Sequence, residues 1–250
     1  VSISRVSKIS KSIISDHLPW SPSKFKPILS PHDPRANGMD PMVKAINIAL
    51  EVSHDDSKID LKLLHECAES TLDSFTKKLI WPIEKRTLTF EEALQGIPGK
   101  LSSLKVSTSP GYPLCKVANK PGKRSFFEFG PNGELTYDSV FRLQVEEYVH
   151  KLTTEGIDER RFVAYLKDEL VSASKVEKVK TRIIYSGDLI SNVAYRMCFG
   201  SLLAAFNSSY LTTSMAIGMN QFSHDMHEIY DYLSEVGNKF FVAGDVSEWD

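Results

Sequence analysis

Cysteine is scarce in this sequence. Cys67, Cys115 and Cys198 are the only three in 250 residues, far apart and without a CxxC pair. That excludes a disulfide framework and a cysteine zinc site, and it suits a reducing compartment. Excess charge of either sign is also missing: 30 Lys and Arg against 32 Asp and Glu give a net charge of −2. Nucleic-acid binding therefore cannot be argued from the total, only from where the cations lie. No run approaches the roughly eighteen apolar residues of a membrane span, and no signal peptide opens the chain. The first residue is Val1, not Met, which points to an N-terminus made by processing or trimming. Repeats and low-complexity tracts are absent as well. What is there, 42% hydrophobic and 25% charged residues, is the composition of an ordered globular chain. Its length allows one large domain or two small ones.

The first 38 residues begin β-branched and turn proline-rich, with Pro19, Pro22, Pro27, Pro31 and Pro34. Proline fixes φ and withholds a donor, so an extended arm is predicted, anchored by Trp20, Phe25 and Ile28. Asp40-Pro41 reads as an N-cap and first helical residue, opening a helix to about Val52. Leu61, Leu64, Ala68, Leu72, Phe75 and Leu79 recur at spacings of three and four and form one apolar stripe. His65 and Cys67 on that helix read as packing residues. Thr89 and Glu92 form a capping box, with Gly96 closing a short helix. Ser125 to Tyr137 reads as a hairpin, followed by a helix from Asp138 to Glu155 with Val140, Val145, Tyr148, Val149 and Leu152 inward. Phe162 to Leu166 is a predicted buried strand. The helix after Asp188 is apolar on most sides and should be buried. Ser223 caps a last helix with Met226, Ile229, Tyr230 and Leu233 inward, and Lys239 to Ala243 is a final strand. His224 and His227 have metal-binding spacing but no third ligand nearby, so they read as helix surface.

Three stretches carry chemistry. In Val106-Ser107-Thr108-Ser109-Pro110-Gly111-Tyr112-Pro113, small hydroxyls and backbone N–H groups on a rigid turn are suited to a phosphodiester. A plain turn is the commoner meaning of such a stretch. Lys175, Lys178, Lys180 and Arg182 follow Lys167-Asp168-Glu169-Leu170. On a strand, Lys178, Lys180 and Arg182 share one face while Val179, Thr181 and Ile183 take the other. A lysine-guarded edge strand is the competing reading. Finally, Asp245 follows an apolar strand and Asp250 closes the sequence. A carboxylate at a strand end is a hard-oxygen ligand for Mg²⁺, and cations upstream can clamp a triphosphate. In two-metal nucleotidyl transfer the ions lie roughly 4 Å apart, so a further carboxylate from beyond residue 250 is expected. Asp250 is better placed to accept a hydrogen bond from a ribose hydroxyl.

Taken together and in order, Thr108-Ser109-Pro110-Gly111-Tyr112-Pro113, Lys167-Asp168-Glu169-Leu170 with Lys175 and Lys180-Thr181-Arg182, and Gly244-Asp245 with Asp250 resemble the RNA-dependent RNA polymerases of picornavirus-like positive-strand RNA viruses. These are that family's motifs G, F and A. The likeness extends to Asp33-Pro34-Arg35, Arg196 to Gly200, Ala204-Ala205-Phe206 and Ala216 to Met219. It implies an α+β fold, the N-terminal part of a right-hand polymerase of fingers, palm and thumb, with mostly helical fingers, β-hairpin fingertips and the first palm strand at the C-terminus. Residues 1–35 would be a fingertip arm, 36–198 fingers, and 199–250 the start of the palm.

The resemblance implies roles. Thr108, Ser109 and Gly111 would line the template channel. Lys167, Lys175, Lys180 and Arg182 would face the incoming nucleotide. Asp245 would be the first metal ligand, with the carbonyl of Val246 on the same Mg²⁺ (or Mn²⁺), and Asp250 would read the ribose 2′-OH. Implied partners are template RNA and nascent strand, nucleoside triphosphates, the remaining palm and thumb, a protein primer and other viral replication proteins. Implied placement is a membrane-associated replication complex in the host cytoplasm. Two positions depart from the family: Val171 stands where arginine is common, and Tyr185 where relatives of poliovirus carry an acid. The family's later motifs and thumb have no counterpart in the sequence, so an incomplete, inactive and poorly stable piece is expected. An RNA- or nucleotide-binding module without polymerase activity and a reverse transcriptase relative are the alternative readings; a ribose reader at Asp250 argues against the latter.

Overall fold

A computed structural model of the chain describes residues 6–13, 17, 24–51, 60–156, 160–213, 215–235 and 244. In chain order the helices and strands are α1 (Pro41–Glu51), α2 (Leu61–Lys78), α3 (Phe90–Gln95), β1 (Glu128–Phe129), β2 (Leu135–Thr136), α4 (Ser139–Thr154), β3 (Val163–Leu166), α5 (Ala173–Glu177), β4 (Ile183–Ser186), α6 (Leu189–Asn207) and α7 (Asp225–Glu235). The chain forms two compact units, Val1–Ile59 with Lys105–Asn192 and Asp60–Leu104 with Val193–Asp250. The expected strand 239–243 lies outside the described residues.

The first unit is built on two small antiparallel sheets. β1 pairs with β2, and β3 with β4 from Val163↔Ser186 to Leu166↔Ile183. α1 lies against β3 and β4. Its cap is as expected: the Asp40 carboxylate accepts from the Met42 N–H at 2.8 Å, with Pro41 at the first helical position. Ile28, Ala36 and Val179 form a buried cluster, flanked by Met39 and Val176. Phe127 and Phe141 pack edge to face at 5.5 Å. In α4, Val145 and Tyr148 are buried as expected, but Val140 is exposed and Phe141 takes the inward place. β3 starts one residue late, leaving Phe162 exposed, and its strand is half-buried rather than buried. A two-stranded sheet cannot cover both of its faces.

In the second unit, α3 carries the full capping box. Thr89 Oγ1 accepts from the Glu92 N–H, and the Glu92 carboxylate accepts from the Thr89 N–H at 2.9 Å. Arg86 grips the same carboxylate through two nitrogens, at 2.6 and 2.7 Å. The Arg86 guanidinium, with the Thr89 N–H behind it, pulls the Glu92 carboxyl down to about 2 from its ordinary 4.5. A folded value below the unfolded one stabilises the fold above the unfolded value, and that stability drains away as pH falls toward the folded value. Glu92→Gln is therefore expected to cost about 1 kcal/mol near neutral pH. It should also remove the part of the acid sensitivity that falls between pH 4.5 and 2. Denaturant melts of both proteins across that range check it, and parallel acid limbs would contradict it.

The centre of the second unit is α6. Val193, Ala194, Ala204 and Ala205 are fully buried with Leu88, Phe90, Leu94 and Leu101. The mid-helix Arg196 bonds the carbonyls of Ala93 and Ser102, each at 2.6 Å. By length and composition α6 could cross a membrane, with 19 residues and a mean hydropathy of 1.3. Its apolar surface is not all covered: Tyr195, Phe199 and Leu203, four apart, form an exposed stripe. The expected burial on most sides thus fails along one face. α2 has its Asp60 cap and its apolar stripe, but only the C-terminal end packs, through Phe75 against Phe206 at 5.5 Å and buried Leu79. His65 and Cys67 are exposed on it, not packing residues. In α7 the expected inward face is also open, with Met226, Tyr230 and Leu233 exposed. His224 and His227 do lie on the helix surface, paired with Glu228 and Asp231 at 3.9 and 3.5 Å.

Candidate active site

The antiparallel register of β3 and β4 decides where two of the cations go. Lys167 follows β3 and Arg182 precedes β4, so they face each other at the open end of the sheet, joined by Lys167 N–H to Arg182 carbonyl at 2.8 Å. Glu169 sits between their side chains. One carboxylate oxygen is 2.8 Å from Lys167 Nζ, and the other is 4.0 Å from Arg182 Nη1. All three side chains are partly exposed, so the pairing can exchange with an incoming anion. Glu169 is a residue the motif reading passed over, although an acid inside a run of cations is its own signal.

The strand expected to carry Lys178, Lys180 and Arg182 on one face is not formed. Lys175 lies exposed on α5, and Lys178 is that helix's C-cap. Beyond it Val179 adopts φ +50. The Lys180 N–H returns to the Lys175 carbonyl at 2.8 Å and the Val179 N–H to Val176 at 2.9 Å, a Schellman turn. Glycine usually takes that left-handed position, since a side chain there costs about 1–2 kcal/mol. Here the valine is fully buried with Ile28 and Ala36, and burying a valine is worth a similar amount, roughly 1.5–3 kcal/mol. The alternation of buried Val179 and Thr181 with outward Lys178 and Arg182 is real, but a turn produces it.

The N-terminal arm holds this basic segment in place. Phe25 and Val171 exchange backbone hydrogen bonds at 2.7 and 2.8 Å, and Thr181 Oγ1 donates to the Ile28 carbonyl at 2.8 Å. Farther out, the Asp168 carboxylate accepts from Ser7 Oγ and the Lys8 N–H at 2.6 and 2.7 Å. Ile28 anchors the arm as expected, whereas Phe25 contributes its backbone and stays partly exposed; Trp20 lies outside the described residues.

The Thr108–Gly111 turn is tied to the same sheet. Ser109 Oγ accepts from the Gly111 N–H at 3.1 Å and meets the hydroxyl of Tyr165, on β3, at 3.3 Å. Tyr165 is two residues before Lys167. Between turn and sheet lies an open cleft of about 360 Å³, lined by Ser107, Ser109, Lys120, Tyr165 and Ile184. Gly111 is buried at φ +71, pressed against the backbone of Gly187 and Asp188, and the Leu189 N–H donates to Pro110 at 2.8 Å. Asp188 is itself buried. It caps α6 through the Ser191 N–H at 3.0 Å and Ser191 Oγ at 2.6 Å, and Arg160 approaches it at 3.7 Å.

The structure thus brings Thr108, Ser109, Gly111, Lys167 and Arg182 onto one framework, with Lys175 on α5 and Lys180 in the turn that follows it. Asp245, Val246 and Asp250 lie outside the described residues. Among the described residues no group of three His, Cys, Asp or Glu is placed to hold a metal ion.

A family profile described as viral RNA-dependent RNA polymerase matches residues 13–250. The chain belongs to that family. It is 28% identical over 237 residues to the replicase polyprotein of Drosophila C virus, covering 92% of this chain and 13% of that protein. It is 34% identical over 155 residues to the genome polyprotein of poliovirus type 2, covering 61% of this chain and 6% of that one. Among solved structures, the Sicinivirus 3Dpol RNA dependent RNA polymerase superposes with a TM-score of 0.68 at 27% identity. That match covers 91% of this chain and 44% of that one. The expected α+β architecture, the N-terminal part of a right-hand polymerase, is borne out by this likeness.

Proposed function

We propose that the protein containing this chain carries out RNA-templated RNA synthesis in viral genome replication, and that the first unit positions template and nucleotide for it. One observation carries the reading. The Thr108–Gly111 turn and the Lys167–Arg182 pair share one framework, coupled through Ser109 and Tyr165. A polymerase needs a template phosphate and a triphosphate held a fixed distance apart, and a rigid common support provides that.

In this reading Thr108, Ser109 and Gly111 guide the template backbone. Lys167 and Arg182 receive the triphosphate, and Lys175 and Lys180 add positive charge beside it. Glu169 holds the two clamp cations until the nucleotide's phosphates replace its carboxylate. Residues 1–35 act as the fingertip arm, 36–198 as fingers and 199–250 as the beginning of the palm. A Mg²⁺ or Mn²⁺ ion would be held by the hard oxygens of Asp245 and the Val246 carbonyl, and when bound it would supply positive charge to the phosphates of the nucleotide. Asp250 is the acceptor that distinguishes ribose from deoxyribose. Partners are template and nascent RNA, nucleoside triphosphates, the remaining palm and thumb, and, as in a replication complex on a host cytoplasmic membrane, a protein primer and other replication proteins.

The test is primer extension by the complete polymerase with Asp245→Ala and Asp250→Ala variants. Asp245→Ala should abolish extension, and Asp250→Ala should erode discrimination against deoxyribonucleotides. Full activity in the first variant would remove the proposal, and unchanged discrimination in the second would remove the role of Asp250.

A further inference from the structure

The described residues contain one buried lysine, and no functional role assigned so far uses it. Lys123 is only 4% exposed. No carboxylate pairs with it among the described residues. Its ammonium instead donates to Thr108 Oγ1, to the Thr108 carbonyl at 3.3 Å and to the Lys105 carbonyl at 3.4 Å. An ammonium has three protons, and all three are taken by one four-residue segment. The Thr108 hydroxyl, for its part, donates onward to the Lys105 carbonyl at 3.0 Å. The backbone repeats the connection, with the Lys123 N–H bonding Val106 at 2.7 Å. Gly122, at φ +71, lets the chain pass this close, since a Cβ there would fall 2.8 Å from Ser107 backbone carbon. Burial pushes the Lys123 ammonium toward its neutral form, so the site is built around a charge that costs free energy to keep.

A buried cation with its donors saturated has no proton left for a phosphate. We infer that Lys123 is a positioning residue for the template turn: it fixes Thr108 from beneath and acts on RNA only through it. The inference rests on the reading of Thr108–Gly111 as the template guide.

The experiment measures binding of a fluorescein-labelled oligouridylate to the complete polymerase as a function of salt, in wild type, Lys123→Met, Thr108→Val and the double variant. Affinity should fall about ten- to a hundredfold in Lys123→Met, the range for losing a charged hydrogen bond. Thr108→Val should also weaken binding. The double variant should bind no more weakly than Lys123→Met, because the two residues act as one unit. The salt dependence of binding should stay that of wild type in Lys123→Met, because a phosphate-contacting lysine, once removed, would lower the slope by about one. A lowered slope or additive losses would overturn the inference, and a general folding defect would not reproduce the pattern in Thr108→Val. Hydrogen exchange at the amides of 106–109 and 111 keeps the two layers apart. If both variants bind RNA like wild type, the template reading falls. Faster exchange in Lys123→Met still supports the positioning role, and unchanged exchange overturns it.

Discussion

Gly111→Ala is expected to destabilise the first unit by on the order of 3–5 kcal/mol, a loss that only a few physical causes produce. Two of them meet at this residue. The backbone is at φ +71, where an L side chain is strained. A methyl group there would also fall 2.6 Å from the Asp188 Cα and the Gly187 carbonyl carbon, which are backbone and cannot rotate away. Relief requires the turn to back off, and that breaks the Pro110–Leu189 hydrogen bond and separates Ser109 from Tyr165. The effect on RNA binding should therefore exceed the effect on stability alone. Gly133→Ala is the control. Its φ is +82, but nothing lies within 4 Å of the added carbon. It should show the conformational cost by itself, roughly 1 kcal/mol. Thermal melts and RNA affinity of the two variants side by side give the steric part by difference; equal melts would contradict the account.

The same close approach explains what could be read in advance and what could not. The glycine between two prolines announced a turn, because its chemistry is local. That the turn is buttressed by Gly187 and Asp188 depends on a contact some 76 residues away, for which sequence spacing gives no rule. Caps are legible for the same reason turns are: Asp40, and Thr89 with Glu92, bond within three residues of themselves. Alternating cationic and apolar residues through Lys178, Lys180 and Arg182 suggest an extended strand, which the structure does not form. A left-handed valine after a helix gives the same alternation, and nothing in its own chemistry favours that geometry. Apolar stripes told the truth about periodicity, but not about partners. Leu61, Leu64 and Leu72 on α2, Phe199 and Leu203 on α6, and Tyr230 on α7 have the expected spacing and remain exposed. Of the site, the cations and the turn are legible as motifs, and Glu169 stands out as an acid among cations without revealing its partners, while Lys123 and Tyr165 carry no signal at all. Each of these three works through a tertiary contact.

Arg182→Ala is expected to lower nucleotide incorporation by roughly 10²–10³-fold, the usual consequence of removing one donor from a preorganised anion clamp. The backbone of residue 182 is fixed independently of its side chain, through its carbonyl to Lys167 and through Thr181 to Ile28. Truncation should therefore leave the hairpin intact. What it removes is one of the two cations bracketing Glu169, which lies 2.8 Å from Lys167 and 4.0 Å from Arg182. On the proposed reading the loss should exceed one hydrogen bond, because the carboxylate would then face an incoming triphosphate with a single counter-charge left. Arg182→Lys should restore only part of the rate: it returns the charge but not the planar two-point donor. Adding Glu169→Gln to Arg182→Ala should recover activity, since it removes the repulsion that truncation exposed. Single-nucleotide incorporation across a range of triphosphate concentrations reads all three variants. If the Glu169→Gln addition makes the Arg182→Ala enzyme slower still, the carboxylate is supporting the clamp rather than opposing the nucleotide, and the exchange of acid for phosphate at this site is wrong.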